Sequence, residues 1–353
     1  MSAEEKPKRL KVGVIGAGRM GANHAKVFNR NQENFELVGV CDVNLWRAQF
    51  LAWQCNTIAV RSYEDLIARA EAVVIAVPTP QHFEAGKAAM ERGVHCLIEK
   101  PLAESIESAK KLLEISQEKG VVLQVGHVER FNPAVLEAVK HVRNPRFITV
   151  ERLGPYDPRT QHIGVVMDLM IHDLDILLTL VGAEIESLEA VGAHLISQHE
   201  DIANVRVRFK TGCIANLTAS RISLTKCRKL RIFQEDSYIS LDYASSDLKI
   251  YKRKVPVIKT LKDVEILRPK LSTVEPLKNE HLHWLDCIRH NRKPWPSAER
   301  GMEALKLALQ VSDELERYVV APQAGVRSLI PPWVQDLRTI AKSVGKDIMG
   351  GAS

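Results

Sequence analysis

Aromatic residues are scarce in this 353-residue chain, at 5%, and its six cysteines form no C-x-x-C pair or metal-ligand spacing. They indicate reduced thiols, not a disulfide framework or a zinc site. The most apolar long stretch, residues 165–181, contains three aspartates and a histidine, so it is a poor membrane span. The apolar segment near the N-terminus is broken by glycine and arginine, unlike a signal peptide. We expect a cytoplasmic protein that does not bind membranes.

A strong excess of one charge is also missing. The chain has 49 Lys and Arg against 43 Asp and Glu, a net charge of +6, spread along the sequence. Charge this weak gives no reason to expect a nucleic-acid partner. Apolar residues make up 45% and charged residues 26%, fractions typical of a folded soluble protein.

Length and pattern predict two domains and a tail. From residue 10 to 127, short β-branched runs alternate with helical patterns, which indicates a doubly wound parallel sheet, the Rossmann α/β fold. The predicted strands are Lys11–Ile15, Glu36–Cys41, Ala72–Ala76, His95–Ile98 and Val121–Val125. Later segments predict an α+β domain with an antiparallel or mixed sheet, a hairpin at Thr211-Gly212 and helices on one face. We assign 1–127 to the Rossmann domain, 128–330 to a substrate domain and 331–353 to a helical tail that packs on the body or on another subunit.

A glycine-rich turn follows the first predicted strand and leads into a helix. Its sequence fits G-x-G-x-x-G, in which the glycines permit a tight turn, close approach of the pyrophosphate and close helix–strand packing. The predicted cofactor-binding residues in this turn are Gly16, Gly18, Arg19, Met20 and Gly21. Asp42 ends the second strand, where a carboxylate binds ribose hydroxyls and repels a 2′-phosphate. We therefore expect NAD in preference to NADP, although Arg47 is nearby.

The third strand ends in Val77-Pro78-Thr79-Pro80-Gln81-His82. Ligands bind at the carboxyl edge of such sheets, so we predict that Thr79 and His82 contact the cofactor. A rigid turn in which Thr79 caps the next helix explains the same residues equally well.

The fourth strand ends in Glu99-Lys100-Pro101, again at the carboxyl edge. An X-Pro bond can be cis, and such a kink would direct Lys100 into the crevice. There the lysine would stabilise an alkoxide or donate to the reacting oxygen, with Glu99 beside the cofactor. The alternative is a surface ion pair made by Glu99.

Asp168 and His172 are four residues apart on the long predicted helix of the second domain. Oxidation of a hydroxyl needs a base for its proton, and a histidine oriented by a carboxylate serves that purpose. Such a pair also occurs as a simple helix-stabilising contact. A metal site that adds Asp175 has no further ligand cluster, so no metal is expected.

Together these motifs resemble the Gfo/Idh/MocA oxidoreductase family over about Leu10 to Tyr318. The resemblance rests on Gly16-x-Gly18-x-x-Gly21, Glu99-Lys100-Pro101, Gly164-x-x-x-Asp168-x-x-x-His172-Asp173 and Lys293-Pro294-x-x-x-Ser297. It implies a Rossmann domain, a C-terminal domain with a large open, mostly antiparallel sheet, bound NAD(H) or NADP(H), and homodimers or homotetramers. It also implies that Lys100 contacts the nicotinamide ribose and the substrate hydroxyl, Asp168 positions the substrate and His172 performs acid–base chemistry.

The stretch from Gly126 to Pro133 is similar to family members that act on nucleotide sugars. This similarity implies oxidation of the C3 hydroxyl of a UDP-N-acetylhexosamine to a ketone. A diphosphate needs cationic partners. The predicted substrate-binding residues are His127, Arg130, Arg152 and His162, with Arg159 and the run Lys226, Arg228, Lys229 and Arg231 as further candidates, although that run also fits a solvated strand face. A dehydrogenase of a free polyol or sugar and a non-catalytic NAD(H) sensor remain alternatives.

Overall fold

The structure, a computed structural model, describes residues 8–318, which form two compact units. The first contains the described residues up to Phe131 together with Thr273–Lys306, and the second contains Asn132–Ser272 with the described residues from Leu307 onward. The predicted tail at 331–353 lies outside the described residues. No helix between residues 8 and 318 is both long and apolar enough to cross a bilayer.

The first unit is built on a six-stranded parallel sheet. Its strands are β1 (Leu10–Ile15), β2 (Phe35–Cys41), β3 (Ala59–Val60), β4 (Ala72–Ile75), β5 (His95–Glu99) and β6 (Leu123–Gly126). The order β3-β2-β1-β4-β5-β6 is that of a dinucleotide-binding Rossmann sheet, so the predicted fold is confirmed. β3 has only two residues, too few to give a periodic pattern, and the sequence analysis missed it.

Helices cover both faces of this sheet. They are α1 (Arg19–Arg30), α2 (Leu45–Gln54), α3 (Tyr63–Ile67), α4 (His82–Glu91), α5 (Ile106–Lys119) and, from the later part of the chain, α8 (Pro276–Arg289). Trp284 of α8 shares one hydrophobic core with Phe28 of α1 and Leu51 of α2. On α4, Gly86 allows close packing against Ile98 and Leu112.

The compact units differ from the predicted domain boundaries. The sequence analysis placed 128–330 in one substrate domain, whereas the structure groups Thr273–Lys306 with the Rossmann sheet. The physical reason is the apolar face of α8, whose Trp284 is fully buried in the core of the first unit. Nothing in the sequence indicated that this later segment packs on the Rossmann sheet.

The second unit contains an eight-stranded sheet in the order β14-β13-β12-β11-β7-β10-β9-β8. Its strands are β7 (Phe147–Leu153), β8 (Ile185–Ala193), β9 (Ile202–Phe209), β10 (Ile214–Ser220), β11 (Cys227–Phe233), β12 (Ser237–Asp242), β13 (Asp247–Arg253) and β14 (Val264–Leu267). Among the described strands of this second sheet, only β7 and β10 pair in parallel. The mostly antiparallel sheet is therefore confirmed, and so is the hairpin at Thr211-Gly212, which joins β9 to β10.

One face of this sheet carries the core of the second unit. Alternate residues of β9, from Ala203 to Phe209, pack against α6 (Pro133–His141), α7 (Ile171–Val181) and the later part of α9 (Ala298–Tyr318). The long helix predicted for 165–181 is not uniform. A π-helical turn, Val166–Met170, precedes α7.

Candidate active site

The glycine turn between β1 and α1 leaves room for a phosphate. Gly16 has φ +99° and donates its N–H to the Cys41 carbonyl at 2.7 Å. A Cβ on Gly21 would overlap the Gly16 carbonyl oxygen, so helix and strand approach closely there. At Gly18, the N-cap of α1, a Cβ would meet no atom within 4 Å. This open space at a helix N-terminus, followed by Arg19 and Met20, fits the pyrophosphate of a dinucleotide.

Asp42 connects this turn to the end of β2. Its carboxylate accepts the Ala17 N–H at 2.7 Å through Oδ2 and the Asn44 N–H at 2.8 Å through Oδ1. Asn44 in turn caps α2 by accepting the Arg47 N–H. The carboxylate is thus fixed beside the glycine turn, where a ribose diol would lie.

His82 is buried and both ring nitrogens lie near carbonyls. Nε2 is 2.9 Å from the Val77 oxygen and Nδ1 is 2.9 Å from the Pro101 oxygen. Burial lowers the pKa of His82, against the raising effect of these carbonyls. Thr79 begins a short 3₁₀ helix, Thr79–Gln81, and neither this helix nor α4 has a side-chain cap, so the capping alternative for Thr79 is wrong. Cofactor contact by Thr79 and His82 stays a prediction.

Lys100 follows the end of β5, and its bond to Pro101 is cis. Its backbone N–H donates to Oε2 of Glu99 at 3.2 Å. The surface ion pair considered for Glu99 is not found, because Glu99 is only 7% exposed and contacts His24 at 2.9 Å. Burial would raise the pKa of Glu99, but His24 and Lys100 hold it below its usual value. A buried carboxylate therefore lies next to the predicted catalytic lysine.

Asp168 and His172 lie on either side of the change from π-helix to α-helix. Asp168 is within the π-helical turn and His172 is near the start of α7, and both are partly exposed. The four-residue spacing used in the sequence analysis assumes an α-helix, whereas π-helical turns are wider and occur often at functional sites. Within residues 8–318, no group of three His, Cys, Asp or Glu side chains is arranged to hold a metal ion.

A carboxylate holds the beginning of this segment. Oε1 of Glu200 accepts the Val166 N–H at 3.1 Å, and the Glu200 carbonyl accepts the Val165 N–H. A Cβ on Gly164 would collide with the Glu200 carboxylate, so this contact requires glycine. Glu200 therefore acts as an N-terminal cap from outside the helix.

The loop before this segment is held by a buried arginine. Nε of Arg221 donates to Asp201 at 2.7 Å, and its Nη1 donates to the carbonyls of Thr160 and Ile163 at 2.7 and 2.6 Å. Burial would raise the pKa of Asp201, but the N–H groups of residues 195–197 and Arg221 hold it below its usual value. These contacts fix the backbone that carries Arg159 and His162.

The predicted substrate-binding residues fall into different environments. Arg152 is buried and makes a bidentate pair with Asp173, with N–O distances of 2.7 and 2.8 Å. Its guanidinium therefore holds α7 to the sheet, which disfavours direct contact with substrate. His127 and Arg130 are also buried, and Arg130 lies over the Trp295 ring at 5.4 Å. His162 is exposed on its loop.

Part of the basic run lies on the strand face away from the core. Lys229 and Arg231 alternate with buried residues of β11, and Arg231 pairs with Glu151 of β7 at 3.0 Å. Arg159 is likewise paired, with Asp157 on its own loop.

Sequence reasoning missed the residues that hold these sites in place. They are His24, Glu200, Asp201, Arg221 and His281, whose Nε2 lies 2.7 Å from Nδ1 of His24. None lies in a recognised motif, and each acts through a contact distant in sequence. Only His24, one turn after Gly21 in the first helix, offered a local signal.

Comparison with known proteins agrees with this architecture. Residues 10–127 match the family described as "Oxidoreductase family, NAD-binding Rossmann fold", and residues 141–240 match the GFO/IDH/MocA C-terminal domain. The chain belongs to the Gfo/Idh/MocA oxidoreductase family. The predicted family membership, oxidoreductase class and NAD cofactor are therefore confirmed.

Several members of this family are similar over most of the chain. UDP-N-acetylglucosamine 3-dehydrogenase from Acidithiobacillus ferrooxidans is 36% identical over 315 residues, which cover 88% of this chain and 98% of the relative. A solved structure of that enzyme has a TM-score of 0.82, with 88% and 99% covered. Inositol 2-dehydrogenase from Rhizobium meliloti is 29% identical over 85% of this chain and 94% of the relative. Levoglucosan dehydrogenase, with a TM-score of 0.79 and 19% identity, shares the fold.

Proposed function

We propose that this Gfo/Idh/MocA protein oxidises the C3 hydroxyl of a UDP-N-acetylhexosamine to a ketone with NAD. The observation that carries the proposal is similarity along nearly the whole chain to a UDP-N-acetylglucosamine 3-dehydrogenase. Oxidation at C3 requires a base for the hydroxyl proton and a cation near the oxygen, and the chain offers His172 and Lys100 for these roles.

Each proposed catalytic residue has a separate task. Lys100 donates a hydrogen bond to the reacting oxygen and stabilises the charge that develops on it. His172 accepts the hydroxyl proton, because an imidazole is a suitable base near neutral pH. Asp168 binds a sugar hydroxyl and so fixes which carbon reacts.

NAD fits the glycine turn of the first unit. The space above Gly18 would hold the pyrophosphate, and Asp42 would accept the ribose hydroxyls. When bound, NAD accepts a hydride from the substrate carbon. The fixed negative charge of Asp42 disfavours a 2′-phosphate, so we expect at least tenfold weaker binding of NADP than of NAD. Titration of each reduced cofactor, followed by nicotinamide fluorescence, measures the ratio, and tighter NADP binding would contradict the role of Asp42.

The loop at 157–163 supplies candidates for diphosphate binding. It carries Arg159 and His162 and is held in one conformation by Arg221. Arg152 is engaged by Asp173, which makes it the weaker candidate. His127 and Arg130 are buried, which favours a supporting role beneath the substrate over direct binding.

A free polyol is the second candidate substrate. Inositol dehydrogenases match this chain at 26–34% identity, and one of them is matched along most of its length. A non-catalytic sensor is disfavoured because Lys100, Asp168 and His172 are all present.

The decisive experiment supplies purified protein and NAD with UDP-N-acetylglucosamine, UDP-N-acetylgalactosamine or free inositols. Formation of NADH is followed by absorbance. A parallel reaction contains 2-oxoglutarate as a co-oxidant in case the cofactor is retained, and because that reaction returns NADH to NAD, it is followed by mass spectrometry of the keto sugar and of 2-hydroxyglutarate. We expect turnover with a UDP-sugar and a 3-keto product by mass spectrometry. Turnover with inositols alone would overturn the substrate, and no turnover with either class would favour the sensor.

Substitution of the proposed catalytic residues tests their roles. We expect Lys100→Ala and His172→Ala to lower kcat at least 100-fold while NADH affinity changes less than threefold, because general acid–base groups contribute on that scale. Exposed Lys119, on α5, gives the matched control Lys119→Ala. Wild-type turnover in either active-site variant would remove that residue from the mechanism.

We also propose a homodimer or homotetramer in the cytoplasm. On the face of the second sheet away from the core, Phe147, Phe233, Tyr238 and Tyr251 form a continuous aromatic row across four strands. Their ring centroids are 4.8–5.8 Å apart. Such a row favours burial against a second copy. Light scattering of wild type and Tyr238→Lys tests the assembly, and a monomeric wild type would contradict it.

All six cysteines are free thiols, which supports a reducing compartment.

A further inference from the structure

Four ionisable side chains are buried together in the first unit, behind Lys100. They are His24 of α1, Glu99 at the end of β5, and Glu280 and His281 of α8, and none is more than 7% exposed. The proposed reaction uses neither Glu280 nor His281. Burial of this many ionisable groups is costly unless they are paired, so their arrangement needs a cause.

The contacts form a row from α8 to β5. Nε2 of His281 is 2.7 Å from Nδ1 of His24, and Nε2 of His24 is 2.9 Å from Oε1 of Glu99. Oε2 of Glu99 then accepts the backbone N–H of Lys100 at 3.2 Å. Every contact in the row is within hydrogen-bond distance.

Burial decides the direction of these hydrogen bonds. Desolvation holds the pKa of His281 well below its usual value, so His281 is neutral. Its Nδ1 has no hydrogen-bond partner among the described residues. A proton on Nδ1 would leave a buried donor unsatisfied, so the proton is on Nε2 and is donated to His24. His24 then donates from Nε2 to the Glu99 carboxylate.

The row leaves one negative charge, at Glu99. The lowered pKa of Glu99 keeps it ionised, whereas burial and the charge of Glu99 raise the pKa of Glu280 well above its usual value. Glu280 is therefore a neutral acid, and neither of its oxygens has a hydrogen-bond partner in the described part of the chain. Lys100 and His82 are the other ionisable groups that interact electrostatically with Glu99.

We propose that His281, His24 and Glu99 are positioning residues that hold a single carboxylate charge behind Lys100 and so keep the lysine charged and oriented for reaction. This inference rests on the proposed function for the reaction itself. α8 thus contributes to the active site of the Rossmann unit although it lies about 180 residues later in the sequence than Lys100. A purely structural alternative is that the row only fastens α8 to α1.

Replacement of His281 by residues of two kinds separates positioning from packing. Its ring stacks on Phe28 with centroids 3.9 Å apart, so His281→Phe preserves the stacking and removes the donor. His281→Gln restores a donor. We expect His281→Phe to lower kcat about tenfold with KM for the sugar changed less than twofold, since small losses of orientation are costly in catalysis. His281→Gln is expected to recover at least half of the wild-type kcat.

A second measurement follows the protonation of Lys100 through the pH dependence of its acetylation, and it needs no substrate. Purified protein is acetylated briefly between pH 6 and 10 with acetic anhydride, unfolded and acetylated fully with the deuterated reagent, and the isotope ratio at Lys100 is measured by mass spectrometry. In Glu99→Gln the midpoint of Lys100 labelling is expected about one pH unit lower than in wild type, because a nearby opposite charge stabilises the ammonium. His281→Phe is expected to shift it in the same direction. Exposed Lys119 is the internal standard.

Glu280→Gln is the matched control in the same helix. It keeps a neutral side chain at a buried position that we place outside the row, so kcat and the labelling midpoint are expected to match wild type. Unchanged kcat and labelling in His281→Phe would overturn the inference, as would equal effects of Glu280→Gln and His281→Phe. If His281→Phe does not fold, His24→Gln and Glu99→Gln carry the same test. Labelling shifts without turnover of any sugar would contradict the proposed function and still support the row.

Discussion

The two units bury charge with different chemistry. The first unit uses histidine and carboxylate groups, in the row from His281 through His24 to Glu99. The second uses arginine and carboxylate, in Arg152–Asp173 and in the pair of Asp201 with Arg221. Guanidinium stays charged at any pH at which proteins fold, whereas imidazole titrates near neutrality.

This difference assigns different tasks to the two units. The arginine pairs fix a loop and a helix that carry the proposed substrate residues. A charge that does not titrate is suited to this role because the contacts persist at every pH at which the protein folds. The histidine row lies behind the lysine proposed to act on the reacting oxygen, where the balance of protons matters. Titration of the first unit should therefore act on turnover in addition to the proposed base His172, whereas the buried arginine pairs should keep the substrate loop of the second unit in place across the same pH range.

The largest effect is expected from loss of Arg221. Arg221→Met leaves the buried carboxylate of Asp201 and the carbonyls of Thr160 and Ile163 without this partner. Removal of one member of a buried ion pair costs about 3–5 kcal/mol of unfolding free energy. Chemical denaturation measures the loss. The matched control Arg231→Met breaks the half-exposed pair with Glu151 and should cost at most about 1 kcal/mol.

The pH dependence of this loss sharpens the comparison. Asp201 has a lowered pKa in the folded state, so its contribution is fully present above the unfolded value near 3.8 and disappears as pH falls through the folded value. In Arg221→Met the N–H groups of residues 195–197 still bind the Asp201 carboxylate and favour its charged form, so the deficit should be constant between pH 5 and 8. A deficit that varies with pH in this window would show that the second unit is not insulated from titration.

Two glycines give the next test, because one is enclosed and the other is open. Gly164→Ala forces the Glu200 carboxylate away from the Val166 N–H, and loss of such a cap costs about 1–2 kcal/mol. Gly18→Ala meets no atom in the protein, and its φ of −69° suits alanine. Stability of Gly18→Ala should match wild type while NADH affinity falls at least tenfold. Equal NADH affinity would mean that the space above Gly18 does not receive the pyrophosphate.

The sequence predicted the parts of the site that depend on local backbone geometry. The glycine turn, Asp42 and Lys100 each follow a buried parallel strand, and the carboxyl ends of such strands meet at one edge. The fold of the first unit follows from the same pattern. Their positions could therefore be read from strand order without knowledge of tertiary contacts.

The supporting residues could not be predicted because their partners are distant in sequence. His24 contacts Glu99 and His281, which are 75 and 257 residues away. Arg152 looked like a candidate for phosphate binding because side-chain type alone does not show that Asp173 engages it. The π-helical turn at Asp168 was also missed, since the apolar pattern of 165–181 fits a regular helix equally well.

The smallest effect concerns Glu280, and its sign depends on pH. Its folded-state pKa is raised well above the unfolded value near 4.5 by burial and by Glu99. The folded protein thus binds one more proton than the unfolded chain above pH 4.5, and stability falls as pH rises towards the folded value. Gln carries no charge, so Glu280→Gln removes this loss.

We expect the melting temperature of Glu280→Gln, relative to wild type, to increase steadily from pH 5 to pH 8, with a gain of about 2–4 °C for each kcal/mol recovered. The amide has an extra buried donor, but that cost is the same at every pH, so the trend and not the absolute difference carries the argument. The Arg221→Met difference, measured over the same range, should stay flat. A flat line for Glu280→Gln as well would mean that Glu280 is ionised in the folded protein, and that the first unit buries two negative charges beside His24 and not one.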